Sequence, residues 1–150
     1  MTNQTNFFIP KAEFDAIYGR VPRLTVEVIV RTPKGVVLTK RSMEPCKGQW
    51  HIPGGTVRFG ESLTDAVQRI ATDELGITVK IVALLGYIEY PKMRASGYKG
   101  WPVGIAFETV IVGGQLRGSD QGEELGSFAK VPANTIAEQA EFLAQHVFVD

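Results

Sequence analysis

The residues able to do chemistry crowd into one stretch, Gly54 to Ile77. There a glycine pair, Gly54-Gly55, is followed at fixed intervals by Glu61, Arg69 and the acidic pair Asp73-Glu74. Five residues separate Gly55 from Glu61, and seven separate Glu61 from Arg69. Carboxylates and a main-chain carbonyl are the hard oxygen donors that Mg²⁺ prefers, an ion that commonly completes its shell with water and substrate phosphates. Glycine leaves no side chain between backbone and ligand and permits φ > 0. The segment is therefore read as a site for a metal and a phosphate.

A helix has to carry the second half of this set. Ser62, with Asp65 three residues on, makes a capping-box-like start, and Gly76 just past Leu75 is a C-terminal stop, so the helix is placed at about 63 to 75. Residues three and four apart share a helix face, which makes Arg69 a neighbour of Asp73, and Ile70 a neighbour of Glu74.

Around it, Pro10 to Arg20 has helical spacing, and Leu24 to Arg31 alternates Val26, Val28 and Val30 against Thr25, Glu27 and Ile29 as a strand. The turn Pro33-Lys34-Gly35 returns Val36 to Lys40 antiparallel. Arg41 to Gln49 reads as a loop, and Ile77 to Tyr90 as one or two strands broken near Gly86. Pro91 to Trp101 is a basic, aromatic loop or binding rim, and Pro102 to Val112 another strand before a Gly113-Gly114 turn. Ser127 to Val131 is a last strand, and Ala133 to Val147 a closing helix. That order predicts an α/β fold, a mixed sheet covered by helices.

The chain has 150 residues, which predicts one domain over 1–150. Lys plus Arg and Asp plus Glu number 16 each, so bulk charge gives no attraction to nucleic acid. One cysteine, Cys46, and two histidines, His51 and His146, cannot assemble a Cys/His zinc cluster, and any metal site must use oxygen. The N-terminus lacks a basic segment followed by an apolar one, and no run approaches ~18 apolar residues. The expected location is the cytoplasm, with no membrane partner.

The spacing resembles the Nudix box: Gly, five residues, Glu, seven residues, Arg-Glu, an apolar residue, any residue, Glu-Glu, any residue, Gly and an apolar residue. Two positions depart from it: Ile70 stands for a Glu, and Asp73 for the first Glu of the pair. The resemblance implies the Nudix fold, a mixed β-sheet sandwiched between α-helices. It implies Mg²⁺, with Mn²⁺ as the alternative, held by the carbonyl of Gly54 or Gly55 and by Glu74, with Asp73 as a shorter-armed partner. Glu61 and Arg69 are expected to pair and to fix the turn against the helix.

An aliphatic residue at position 70 is similar to the GDP-mannose mannosyl hydrolase branch of that family. So is the approach to the box through Lys40-Arg41-Ser42, Pro45, Gly48, Trp50 and Pro53-Gly54-Gly55. The branch implies water attack at the anomeric carbon of a nucleotide sugar, a small-molecule substrate, and a homodimer. Gln121 then becomes a metal ligand, and Arg41 meets the diphosphate in a catalytic and substrate-binding role. Two matches fail: the branch's catalytic histidine falls on Gly122, and an arginine after the glycine pair falls on Thr56. Glu123 or Glu124 is then the expected base, and Tyr90 and Trp101 are candidates to stack on a base or sugar.

Each of these has a plainer reading. A loop glutamine such as Gln121 is usually just solvated, strand-end aromatics are more often core edges, and Ile70 is most simply core. His51, near the glycine turn, is more often a structural hydrogen bonder. Three functions stay open: a nucleotide-sugar hydrolase, a nucleotide pyrophosphatase attacking phosphorus, and a Nudix-fold module that binds nucleotide or protein without turnover.

Overall fold

The computed structural model describes residues 9–44, 46–118 and 124–149. In chain order it contains α1 (Lys11–Tyr18), β1 (Arg23–Thr32), β2 (Gly35–Lys40), β3 (Trp50–His51), β4 (Gly54–Thr56) and α2 (Leu63–Leu75). β5 (Ile77–Glu89), α3 (Pro91–Ala95), β6 (Pro102–Gly114), β7 (Leu125–Phe128) and α4 (Ala137–His146) follow.

The sheet is organised on β1. It pairs antiparallel with β2 only beside their turn, at Arg31↔Val36 and Thr32↔Gly35, and parallel with β6 from Arg23↔Pro102 to Arg31↔Val110. Away from the turn β1 and β2 separate: Thr25 to Glu27 pair instead with Thr56 to Gly54 of β4, while β2 takes β3 and β7. β5 runs antiparallel to β6 and forms the outer strand, bulged between Leu84 and Gly86. A strand parallel to its neighbour and covered on both faces reads as a continuous buried run. Thr25 to Val30 are accordingly all buried.

Two cores lie on opposite faces. Val26, Val28 and Val30 pack with Ala66, Val67, Ile70 and Leu75 of α2. Ile29 packs with Leu38, Ile52, Ile88, Ile136, Phe142 and Leu143 on the α4 side. This is the mixed sheet between helices that the sequence predicts. α2 begins where Ser62 Oγ accepts from Asp65 N–H at 3.1 Å and ends at Gly76, whose φ of 71° is left-handed.

The differences are local. β3 and β4 are too short to show a period, and the sequence reading ended its loop at Gln49 and placed only the approach to a glycine turn there. α3 occupies the start of the predicted 91–101 loop, with Pro91 at its first turn. Gly113 and Gly114 continue β6 rather than turning, because Thr78 and Ile77 of β5 pair with them. Residues 77–89 form one strand whose bulge absorbs Gly86. Among the described residues no helix is long and apolar enough to cross a membrane.

Gly76→Ala should destabilise the fold by about 1–2 kcal/mol, the cost of a left-handed residue with a Cβ. That Cβ would also meet Arg117 Cγ at 2.7 Å. Urea denaturation monitored by circular dichroism reads the loss, and unchanged stability would mean that the helix ends elsewhere.

Candidate active site

The gap between β1 and β2 opens a cavity of about 180 Å³ whose lining includes Arg23, Glu27, Arg41, His51, Gly54 and Tyr90. Glu27 is the residue that the sequence reading missed. Strand alternation set it with Thr25 and Ile29 against Val26, Val28 and Val30 and gave it no role, yet it is only 6% exposed. The available signal was a lone carboxylate inside the run Leu24 to Val30, which is costly to bury unless hydrogen-bonded.

Its bonds form a directed chain. Ile52 N–H donates to Gln139 Oε1 at 2.6 Å, Gln139 Nε2 donates to Tyr90 Oη at 2.8 Å, and Tyr90 O–H donates to Glu27 Oε1 at 3.1 Å. Thr25 Oγ1 donates to the same oxygen at 3.2 Å. With Oε1 accepting, a proton on this carboxyl belongs on Oε2, the oxygen nearest Gly54. A Cβ at Gly54 would lie 2.7 Å from Oε2, and one at Gly104 would also collide with the carboxylate, so two glycines make the room it occupies.

Burial pushes the Glu27 carboxyl up to about 7 against the pull of its hydrogen bonds and of Arg23, with the charge of Glu74 adding to the rise. Burial likewise raises the Tyr90 hydroxyl well above its ordinary range. His51 goes the other way: burial lowers it to about 4, so it is neutral at pH 7. Its Nδ1 faces the Ile52 carbonyl at 3.0 Å and must carry the proton, so Nε2 accepts from Thr39 Oγ1 at 2.9 Å. Both ring nitrogens are engaged, in line with the structural reading of this residue.

The box residues divide by depth. Ile70 is core, with Cδ1 3.1 Å from where a Gly55 Cβ would stand. Glu74, one turn on, is half-buried and close enough to raise Glu27. Asp73 is exposed, and its charge falls on Arg69. Arg69 grips Glu61 with two nitrogens, Nε to Oε2 at 2.7 Å and Nη2 to Oε1 at 2.9 Å, and Nη2 also reaches the Thr56 carbonyl at 3.0 Å. Arg58 N–H adds a bond to Glu61, whose carboxyl is held below its ordinary range chiefly by Arg69. The pair ties the glycine strand to α2 without lining the Glu27 cavity.

Arg41 lines that cavity, as does Tyr90, although Tyr90 enters through its hydroxyl and is too buried to present a ring face. Trp101, 41% exposed, lies apart in a separate depression with Arg94 and Lys99. Glu124 is exposed, and its carbonyl accepts from Lys40 N–H. Gln121 and Glu123 lie outside the described residues. Among the described residues no three Asp, Glu, His or Cys side chains gather into a metal cage. The donors on offer are oxygens of Gly54 or Gly55, Glu74 and Glu27, a partial set that suits an ion completing its shell with water and phosphate. The mutual repulsion of Glu27 and Glu74 is what a cation would relieve.

In metal-free buffer, Glu27→Gln should stabilise the protein increasingly as pH rises. A carboxyl whose pKa is raised on folding costs nothing below its ordinary 4.5 and most above about 7. The melting temperatures of the two proteins should converge at low pH, with the variant ahead by roughly 1–3 kcal/mol at alkaline pH. A pH-independent difference would show that Glu27 does not titrate in this range.

The NUDIX domain profile matches residues 21–146. Low-salt glycan biosynthesis protein Agl8 of Haloferax volcanii is 45% identical over 82 residues, 55% of this chain and 53% of that protein. ADP-ribose pyrophosphatase of Methanocaldococcus jannaschii is 32% identical over 107 residues, 71% of this chain and 62% of that protein. The chain thus spans little more than half the length of these relatives. Among solved structures, a MutT NUDIX hydrolase from Burkholderia pseudomallei superposes with a TM-score of 0.74 at 25% identity, over 84% of this chain and 98% of the other. A MutT protein from Methanosarcina mazei Go1 gives 0.70 at 22% identity, over 83% and 91%. A box helix tied to a glycine strand, a mixed sheet between helices and a profile covering most of the sequence place this chain in the Nudix family.

Proposed function

We propose that the protein is a Mg²⁺-dependent Nudix hydrolase acting on a nucleoside diphosphate linked to another group, with a nucleotide sugar such as GDP-mannose favoured. The observation that carries this reading is the cavity in which the buried Glu27 carboxyl meets the Gly54 strand, with Arg23 and Arg41 in the wall. The names of two relatives are compatible: one belongs to glycan biosynthesis, and the other acts on ADP-ribose, itself a nucleoside diphosphate joined to a sugar. The aliphatic Ile70 supports the mannosyl hydrolase branch.

When bound, Mg²⁺ would neutralise the diphosphate and stabilise it as a leaving group. Gly54 or Gly55, Glu74 and Gln121, with Asp73 as a shorter-armed partner, are the residues to hold it, and Arg41 offers a bidentate fork to a phosphoryl group. Glu27 joins Glu123 and Glu124 as a candidate base, because a carboxyl tuned near neutrality can take a proton from water and release it again. A homodimer in the cytoplasm completes the proposal.

A second reading, attack at phosphorus, is favoured by the ADP-ribose pyrophosphatase relative. Hydrolysis in ¹⁸O water separates the two: label in the released sugar supports carbon attack, and label in phosphate supports the rival. On a panel of nucleotide sugars and nucleoside triphosphates, Glu74→Gln should lower Mg²⁺-dependent turnover by about 100-fold or more. Loss of the base should cost about 100-fold to 10,000-fold in kcat, so Glu27→Gln, Glu123→Gln and Glu124→Gln identify it. Nucleotide binding with no Mg²⁺-dependent product from any panel member would instead indicate a binding module.

A further inference from the structure

Beside the Glu27 cavity lies a larger one of about 690 Å³, whose lining includes Phe14 and Tyr18 of α1 with Thr56, Arg58 and Phe59. Arg23, the first residue of β1, stands between them. It lines the smaller cavity, while its guanidinium sits 5.6 Å over the Phe14 ring and donates from Nη1 to Thr56 Oγ1 at 2.8 Å, both walls of the larger. From the other side Nη2 donates to Tyr98 Oη at 2.9 Å.

Every one of these partners is neutral. Among the described residues Arg23 forms no ion pair, and its charge falls on Glu27 from beyond ion-pair distance. Its Nε is buried and has no acceptor, the one side-chain atom in that condition among the described residues. A guanidinium offers five N–H donors, and the recorded bonds use two. An arginine clamped by uncharged groups, with donors to spare and, among the described residues, no carboxylate within ion-pair distance, is built for an anion that arrives from outside. The clamp also removes most of the side-chain entropy that binding would otherwise cost.

We propose that Arg23 is an anion anchor that holds a phosphoryl group of the substrate where the two cavities meet. The proposal rests on the reading of the protein as a hydrolase of nucleoside diphosphate derivatives. At about 180 Å³ the smaller cavity cannot take such a ligand whole, since sites for drug-sized molecules run to roughly 300–1,000 Å³. A molecule with groups on both sides of a diphosphate would fill both spaces and carry its charge past Arg23. Thr56 orients the fork here, where the resembled branch carries an arginine of its own.

The test is calorimetric titration of inorganic pyrophosphate into the full chain in EDTA at low salt, with Arg23→Gln, Arg23→Lys and Thr56→Val beside the wild type. Arg23→Gln should weaken binding at least about tenfold, and Arg23→Lys should restore part of it, since the charge returns without the fork. Thr56→Val removes no charge and nearly keeps the shape, so it covers the case in which Arg23→Gln fails to fold, and it should weaken binding a few-fold. In turnover with Mg²⁺ the same variants should raise KM and leave kcat within about threefold. Pyrophosphate binding by folded Arg23→Gln or Thr56→Val within twofold of wild type would overturn the anchor, as would no measurable binding by the wild type. Glu74→Gln keeps the two ideas separate: it should lower turnover by about 100-fold or more yet bind pyrophosphate normally without metal. Absence of turnover in the wild type with pyrophosphate binding intact would defeat the hydrolase reading and leave the anchor standing.

Discussion

A carboxylate buried in the central strand is the constraint around which this structure is arranged. Glu27 sits in a strand covered on both faces, where an unpaired charge would be prohibitive, so several neighbouring elements contribute to its accommodation. Tyr90 comes from the end of β5, Gln139 from α4 and Thr25 from the same strand, while Gly54 and Gly104 leave the space that side chains would close. The chain of donors that ends on Oε1 begins at the backbone of Ile52, just before the glycine strand. The fold therefore positions its acid through the same segment that leads into the box.

The box itself is stabilised differently. Its charges are spent on geometry: the two-pronged Arg69–Glu61 pair and the bond to the Thr56 carbonyl lock α2 to β4 at a fixed angle. Only Glu74 among the helix carboxylates stays near enough to the cavity to act electrostatically on Glu27. Where the family pattern has a further glutamate, Ile70 packs beneath Gly55 as part of the core. Glu27 lies on the other face of β1, bonded to Tyr90 on the α4 side, so it does not occupy the place of that helix carboxylate. Burial in a doubly covered strand is what shifts the Glu27 carboxyl toward neutrality.

Cations are distributed to complement this. Arg41 and Arg23 reach the cavity from β2's end and β1's start, whereas Arg69 is held back in its pair with Glu61. Two guanidinium groups thus line a cavity whose one carboxylate among the described residues, Glu27, is buried, while Glu74 acts on it from outside the lining.

Although the short β3, β4 and α3 were not legible in the sequence, the order of the longer elements, the extent of the box helix and its caps, the antiparallel β1–β2 turn and the Nudix resemblance were. They depend on local rules: Ser62 and Gly76 terminate a helix by their own backbone chemistry, and the 3.6-residue period places Ile70 and Glu74 on one side. Glu27, the reach of Arg23 and the directed bonds of Tyr90 and Gln139 were decided only by tertiary structure. Alternation along β1 cannot reveal that helices cover both of its faces, and pairing between residues 27 and 90, or 23 and 98, leaves no periodic trace in the chain. Strand pairing places Glu27 opposite Gly54 and makes a residue to which the alternation gave no role part of the cavity wall.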